Sequence, residues 1–85
     1  MDDLTKKKIR EILVSIVEEN DKKEKIISCE NIDIVEDLEF DSLDIMSFVM
    51  KISEEFGIQI QEYEDFIENM YELTKLSLWI DKHIQ

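Results

Sequence analysis

Three features of the sequence predict an all-α fold, a four-helix bundle. The 85 residues include no proline and a single glycine, Gly57, whereas a sandwich or barrel of short strands needs many turn residues. Most apolar side chains recur at helical rather than alternating spacing. Hydrophobic residues make up 44% of the chain and charged residues 38%, a balance that fits one hydrophobic core rather than a disordered chain. A single domain spanning residues 1–85 is expected, burying about 60% of its unfolded surface, so the core must be efficient. The predicted architecture is three longer helices and a short third one, with a long loop between the first two.

The first helix is predicted over Asp3 to about Glu19. Ile9, Ile12, Leu13, Ile16 and Val17 share one face, the i, i+3, i+4, i+7, i+8 pattern of a rod roughly 25 Å long. Asp2 and Asp3 suit the positive end of its dipole, and Asn20-Asp21 reads as its stop. From Asp21 to Phe40 no helical period persists, and Ile26, Ile27, Ile32, Ile34, Val35 and Leu38 are scattered among charges. A loop of this length in a small domain is commonly functional.

The second predicted helix opens at Asp41-Ser42-Leu43-Asp44 and closes at Gly57. Asp41 is a good N-cap, Asp44 completes a variant capping box, and Gly57 is the expected left-handed stop. Ile45, Phe48, Val49, Ile52 and Phe56 fall within one arc of about 100° and form the core face. Asp44, Ser47, Lys51, Glu54 and Glu55 make the wet face, with Leu43, Met46 and Met50 apolar but off the core arc. Ile58-Gln59-Ile60-Gln61 reads as an extended connection. Tyr63, Phe66, Ile67, Met70 and Tyr71 predict a short third helix. Leu73, Leu76, Ile80 and Ile84 predict a final one, with Trp79 beside them.

Charge narrows the partners. Twenty-two acidic and ten basic residues give a net charge of −12. Between Ile26 and Glu72 stand fourteen acidic residues and one lysine, Lys51, a local net of −13. Such a field repels nucleic acids and anionic membranes and attracts proteins with basic patches, mainly by speeding encounter. One cysteine, Cys29, excludes an internal disulfide and any cysteine-rich zinc site. With no apolar leader and no long apolar span, the expected location is cytoplasmic and the expected state a monomer.

Catalytic and metal motifs fail on their own chemistry. Asp37-Leu38-Glu39-Phe40-Asp41 places oxygens like a calcium loop, but Ser42 and Phe48 stand where that loop needs Gly and Glu. His83, the only histidine, reads as a solvated cation at a helix end. Ser42 therefore lacks an evident base, without which serine is a weak nucleophile. Glu30 and Asp33 near Cys29 disfavour a thiolate, so the thiol is read as structural or incidental. Two readings of Ser42 stay open from periodicity alone. It is an ordinary helix-start serine, or a site where a phosphoryl group would lie at the positive end of a helix dipole.

The run Glu36-Asp37-Leu38-Glu39-Phe40-Asp41-Ser42-Leu43-Asp44, followed by Glu54-Glu55-Phe56-Gly57-Ile58, resembles the acyl carrier protein family. The likeness extends to the order of helices and the acidic character of the chain. It implies that Ser42 is esterified with 4′-phosphopantetheine, taken from coenzyme A by a magnesium-dependent phosphopantetheinyl transferase. The thiol of that arm would hold acyl groups as thioesters, and the protein itself would be no enzyme. Asp41 would help present Ser42, and the helix after it would meet the transferase and the acyl-loading and acyl-processing enzymes through their basic docking patches. On this resemblance the partner-recognition residues are Asp41, Leu43, Asp44, Met46, Ser47, Met50, Lys51 and Glu54.

The chain departs from the family pattern at three places. Glu39 replaces a usual Gly, which predicts an altered backbone just before Ser42. Gln61 replaces a usual Pro, leaving the entry to the third helix less fixed. Ser47, Lys51 and Ser53 make the wet face of the recognition helix less acidic than the rest, a hint of a dedicated partner set. The approach Glu39-Phe40-Asp41-Ser42 lacks the paired glycines common in peptidyl and aminoacyl carriers, which favours acyl or polyketide cargo of fatty-acid-like biosynthesis. The alternatives are an aminoacyl, D-alanyl or peptidyl carrier, and a carrier-like interaction module that is never modified.

Overall fold

The computed structural model describes residues 4–84, and every regular element in them is helical. Helix α1 spans Leu4–Ile16, α2 Asn20–Ser28 and α3 Ser42–Phe56; a 3₁₀ turn at Ile60–Glu62 precedes α4, Phe66–Asn69, and α5, Leu73–His83. The all-α expectation holds. Asp2 and Asp3, expected at the start of the first helix, lie outside the described residues.

Helix α1 is the hub, packing against α2, α3 and α5, while α4 packs on α5. Ile9, Leu13 and Val17 are buried, and Ile12 and Ile16 pack partly buried against the same core. Phe48 and Ile52 of α3, Leu73, Leu76 and Ile80 of α5, and Ile26 of α2 close around them, all fully buried. Burying each such side chain contributes about 1.5–3 kcal/mol of gross hydrophobic stabilisation.

The expected long loop contains a helix. Asn20-Asp21, read as a stop, instead opens α2, with Glu19 in extended conformation before it (ψ 133°). Only Ile26 of α2 is buried, so the segment shows no repeating apolar face. Its C-terminal end is tied from outside: Arg10 of α1 donates to the carbonyls of Ile26 (3.1 Å), Cys29 (2.9 Å) and Glu30 (3.2 Å). The bond to Ile26 satisfies a carbonyl that a helix end leaves without an intrahelical donor, and the other two fasten the chain just past that end.

The remaining stretch before α3 is a chain of turns. Asp33 accepts from the amides of Val35 (3.1 Å) and Glu36 (2.8 Å), and Asp37 accepts from the Asp33 amide (2.9 Å). Residues 31–34 also run beside the entry to α5, where Asn31 accepts from the Thr74 amide (2.9 Å) and Ile32 from that of Leu73 (3.1 Å). The Asn31 side chain and the backbone of Ile32 and Ile34 thus anchor two distant parts of the chain to each other.

After Gly57 the chain is less regular than expected. The segment read as extended coils into the 3₁₀ turn, with Ile58 and Ile60 buried. Helix α4 is a single turn, in which Phe66 and the following Met70 face the core while Ile67 stands 61% exposed. Trp79 is buried in an aromatic cluster with Phe66, Tyr63 and His83. His83 does not stand free in solvent: its ring is half-buried and stacks on Trp79 at 4.0 Å, and its Nδ1–H donates to the Trp79 carbonyl at 2.7 Å.

Candidate functional site

Ser42 is the first residue of α3, and the local sequence dictates that start. Asp41 is extended (φ −92°, ψ −176°), and its carboxylate accepts from the Asp44 amide at 2.9 Å. Asp44 returns the bond, accepting from the Asp41 amide at 3.2 Å. The capping box is therefore complete with Asp at both ends. Gly57 closes the helix in the left-handed conformation (φ 65°), and Ser53 donates to the Ile58 carbonyl at 2.6 Å. That bond leaves Ser53 half-buried rather than on the wet face.

Glu39 adopts a left-handed backbone, φ 53°, the region that favours glycine. The Phe40 amide bonds the Val35 carbonyl (3.0 Å) and the Glu39 amide that of Glu36 (3.3 Å), the paired closure that ends helical turns at a left-handed residue. Leu38 and Phe40 are both buried around it. Anchoring both neighbours offsets the roughly 1–2 kcal/mol that a side chain costs in this region.

Ser42 is exposed, and its hydroxyl has no hydrogen-bond partner among the described residues. Both adjacent carboxylates are turned onto backbone amides, which lessens their repulsion of a phosphate at Ser42 Oγ. A phosphodiester there would meet the positive end of a fifteen-residue helix. The hydroxyl has room for a large substituent and the local dipoles favour its charge, so the residues fit a phosphopantetheine ester. Nothing comparable supports serine catalysis, since His83 is committed to the far cluster on α5.

Beyond Ser42 the structure sorts the expected recognition residues. Leu43, Met46 and Met50 are 72%, 60% and 61% exposed. At ~100° per residue they lie roughly 140–200° from Phe48, so they form the outermost ridge of α3 rather than its border. Ser47, Lys51 and Glu54 are exposed along one flank of that ridge. Asp41 is exposed, while Asp44 is half-buried and spent on the cap. Glu55, expected on the wet face, is tied to Lys8 of α1 at 3.3 Å.

One feature escaped the sequence reading. An open cleft of about 360 Å³ runs between α3 and the turns after it, lined by Ile45, Val49, Ile60, Tyr63, Ile67 and Met70 among others. Its signal lies in the apolar spacing of Tyr63, Ile67 and Met70, a periodicity that by itself predicts a core-facing helix.

A helical bundle that displays a serine at a capped helix start, beside an exposed apolar ridge, is the architecture of a carrier domain. Comparison with known proteins agrees. A family model described as phosphopantetheine attachment site matches residues 7–69. The chain is 45% identical over 56 residues to an acyl carrier protein of Buchnera aphidicola subsp. Schizaphis graminum, covering 66% of each chain. It is 39% identical over 54 residues to an acyl carrier protein of Zymomonas mobilis subsp. mobilis, covering 64% of this chain and 67% of the relative. The matched stretch thus spans about two thirds of these relatives' length. No solved structure matches significantly.

The chain belongs to the acyl carrier protein family. Members of this family are carriers rather than enzymes, and their cofactor is covalently attached 4′-phosphopantetheine. Among the described residues, no helix is long and apolar enough to cross a membrane.

Proposed function

We propose that Ser42 is the attachment residue and that the chain shuttles acyl intermediates between cytoplasmic biosynthetic enzymes. The observation that carries this reading is the exposed Ser42 hydroxyl, without a hydrogen-bond partner among the described residues, at the start of α3, held there by the reciprocal Asp41–Asp44 cap. When bound, the phosphopantetheine arm supplies the thiol that holds cargo as a thioester.

The chain's own residues do the rest. The cap fixes the direction in which Ser42 Oγ leaves the helix, and the transferase reads Asp41 beside it. Leu43, Met46 and Met50 give partners an apolar ridge, where methionine's flexible thioether suits several surfaces. The acidic field draws in partners with basic docking patches. The apolar cleft between α3 and α4, beginning one turn past Ser42 at Ile45, offers a place for the chain end of a short acyl group. Fatty-acid or polyketide-type acyl groups are the favoured cargo because Glu39-Phe40-Asp41-Ser42 lacks the glycine pair of aminoacyl and peptidyl carriers.

Intact mass after incubation with coenzyme A, magnesium and a broad-specificity phosphopantetheinyl transferase tests the assignment. The wild type should gain one phosphopantetheine and Ser42→Ala none. Loading of the Ala variant, or none of the wild type beside a carrier that loads, would refute it and favour an unmodified interaction module.

A further inference from the structure

One side chain on α3 opposes the charge of everything around it. Lys51 is the only cation between Ile26 and Glu72, a stretch with fourteen acidic residues. It stands exposed in the middle of α3, on the flank of the Leu43–Met46–Met50 ridge. On a helix the side chains three and four residues away are the ones able to neutralise such a cation. Four residues on stands Glu55, which Lys8 of α1 holds at 3.3 Å, and three residues on stands Glu54, exposed and in no ion pair with Lys51 among the described residues. Ser47, one turn before Lys51, carries no charge. No ion pair engages Lys51 among the described residues.

An exposed charge without an internal partner contributes little to the fold and acts chiefly on a body approaching α3. A uniformly basic surface is drawn in by the domain's acidic field but meets like charge at the centre of the helix. A surface carrying a carboxylate there, with cations around it, satisfies both. Like-charge juxtaposition is the means by which interfaces reject wrong partners.

We infer that Lys51 is a specificity-determining residue of the docking face. It selects enzymes that set a carboxylate, ringed by cations, against the middle of α3, and it disfavours uniformly basic docking surfaces. This rests on the reading of Ser42 as the loaded residue and α3 as the docking helix.

The test measures kcat/KM for loading the full chain with a broad-specificity transferase whose docking face is basic, using coenzyme A and magnesium. Lys51→Glu should load about three- to tenfold faster than wild type at low salt, and Lys51→Ala should fall between them. The gain should disappear at high ionic strength. Lys82→Glu on α5 changes the net charge equally and should shift the rate less than twofold. Equal gains for Lys82→Glu and Lys51→Glu, or no gain for Lys51→Glu, would overturn the inference. In the reciprocal arm, docking-face cations of the transferase are changed singly to Glu. At one of them wild type should load faster than Lys51→Glu, and absence of any such inversion would also overturn it. Loading that ignores Lys51 removes this inference alone, whereas no loading of any variant beside a working control carrier removes the reading of Ser42 as well.

Discussion

Helices α2 and α3 are made in opposite ways. Helix α3 carries its own boundaries: Asp41 and Asp44 cap its start and Gly57 turns the chain at its end. Helix α2 carries neither. Glu19 makes no side-chain cap bond, Cys29 follows the helix in extended conformation, and the end is held by a guanidinium from α1. A functional serine is best placed on an element whose ends are encoded locally, because its direction then survives motion elsewhere. An element closed by a distant side chain depends on the whole fold.

The largest expected effect breaks α2. Arg10→Ala removes donors to three carbonyls and should cost about 2 kcal/mol in chemical denaturation. Amide exchange should show protection lost across Asn20–Ser28 while Phe48 to Ile52 of α3 stays slow. Equal loss in both helices would mean that the two are one cooperative unit. A smaller effect is expected at the α3 cap. Asp41→Ala should cost about 1 kcal/mol and slow loading of Ser42, while Asp41→Asn, which keeps an acceptor oxygen, should recover most of the stability. If Asn were as damaging as Ala, charge rather than the cap bond would be the cause.

The smallest effect sharpens the comparison at Glu39, where a left-handed turn is held without glycine. Glu39→Gly should raise stability by about 0.5 kcal/mol, since relief of the left-handed strain is partly offset by a freer unfolded chain. A thermal melt of Glu39→Gly beside Glu39→Ala checks this, and a tie between them would show that the turn is unstrained.

Legibility followed the range of the interactions. The buried faces of α1 and α3 could be read because i to i+4 spacing records them, and α3's ends because Asp41, Asp44 and Gly57 act on backbone groups a few residues away. The same logic misled where apolar spacing was short. Tyr63, Ile67 and Tyr71 belong to a helical pattern, yet they are 37%, 61% and 43% exposed, and only Phe66 and Met70 of that set are buried. One turn of α4 packed on α5 leaves the rest of the pattern facing solvent or the cleft. Position near the chain end predicts a solvated His83, whereas its ring packs half-buried against Trp79 and Tyr63.

By itself the sequence determined the helical class, the core stripe of each long helix, and the placing of Ser42 at a capped helix start, because backbone caps and side-chain periodicity act within a turn. Family membership was also legible, carried by the run from Glu36 to Asp44. Only the tertiary structure decided that residues 20–28 form a helix, since the donor that closes it lies on α1, with Arg10 reaching carbonyls from Ile26 onward. It also decided that Glu39 takes a left-handed turn between two buried neighbours, that Glu55 is taken by Lys8, and that no ion pair engages Lys51 among the described residues. Each of these depends on groups that meet only when the helices pack, at separations no local pattern encodes.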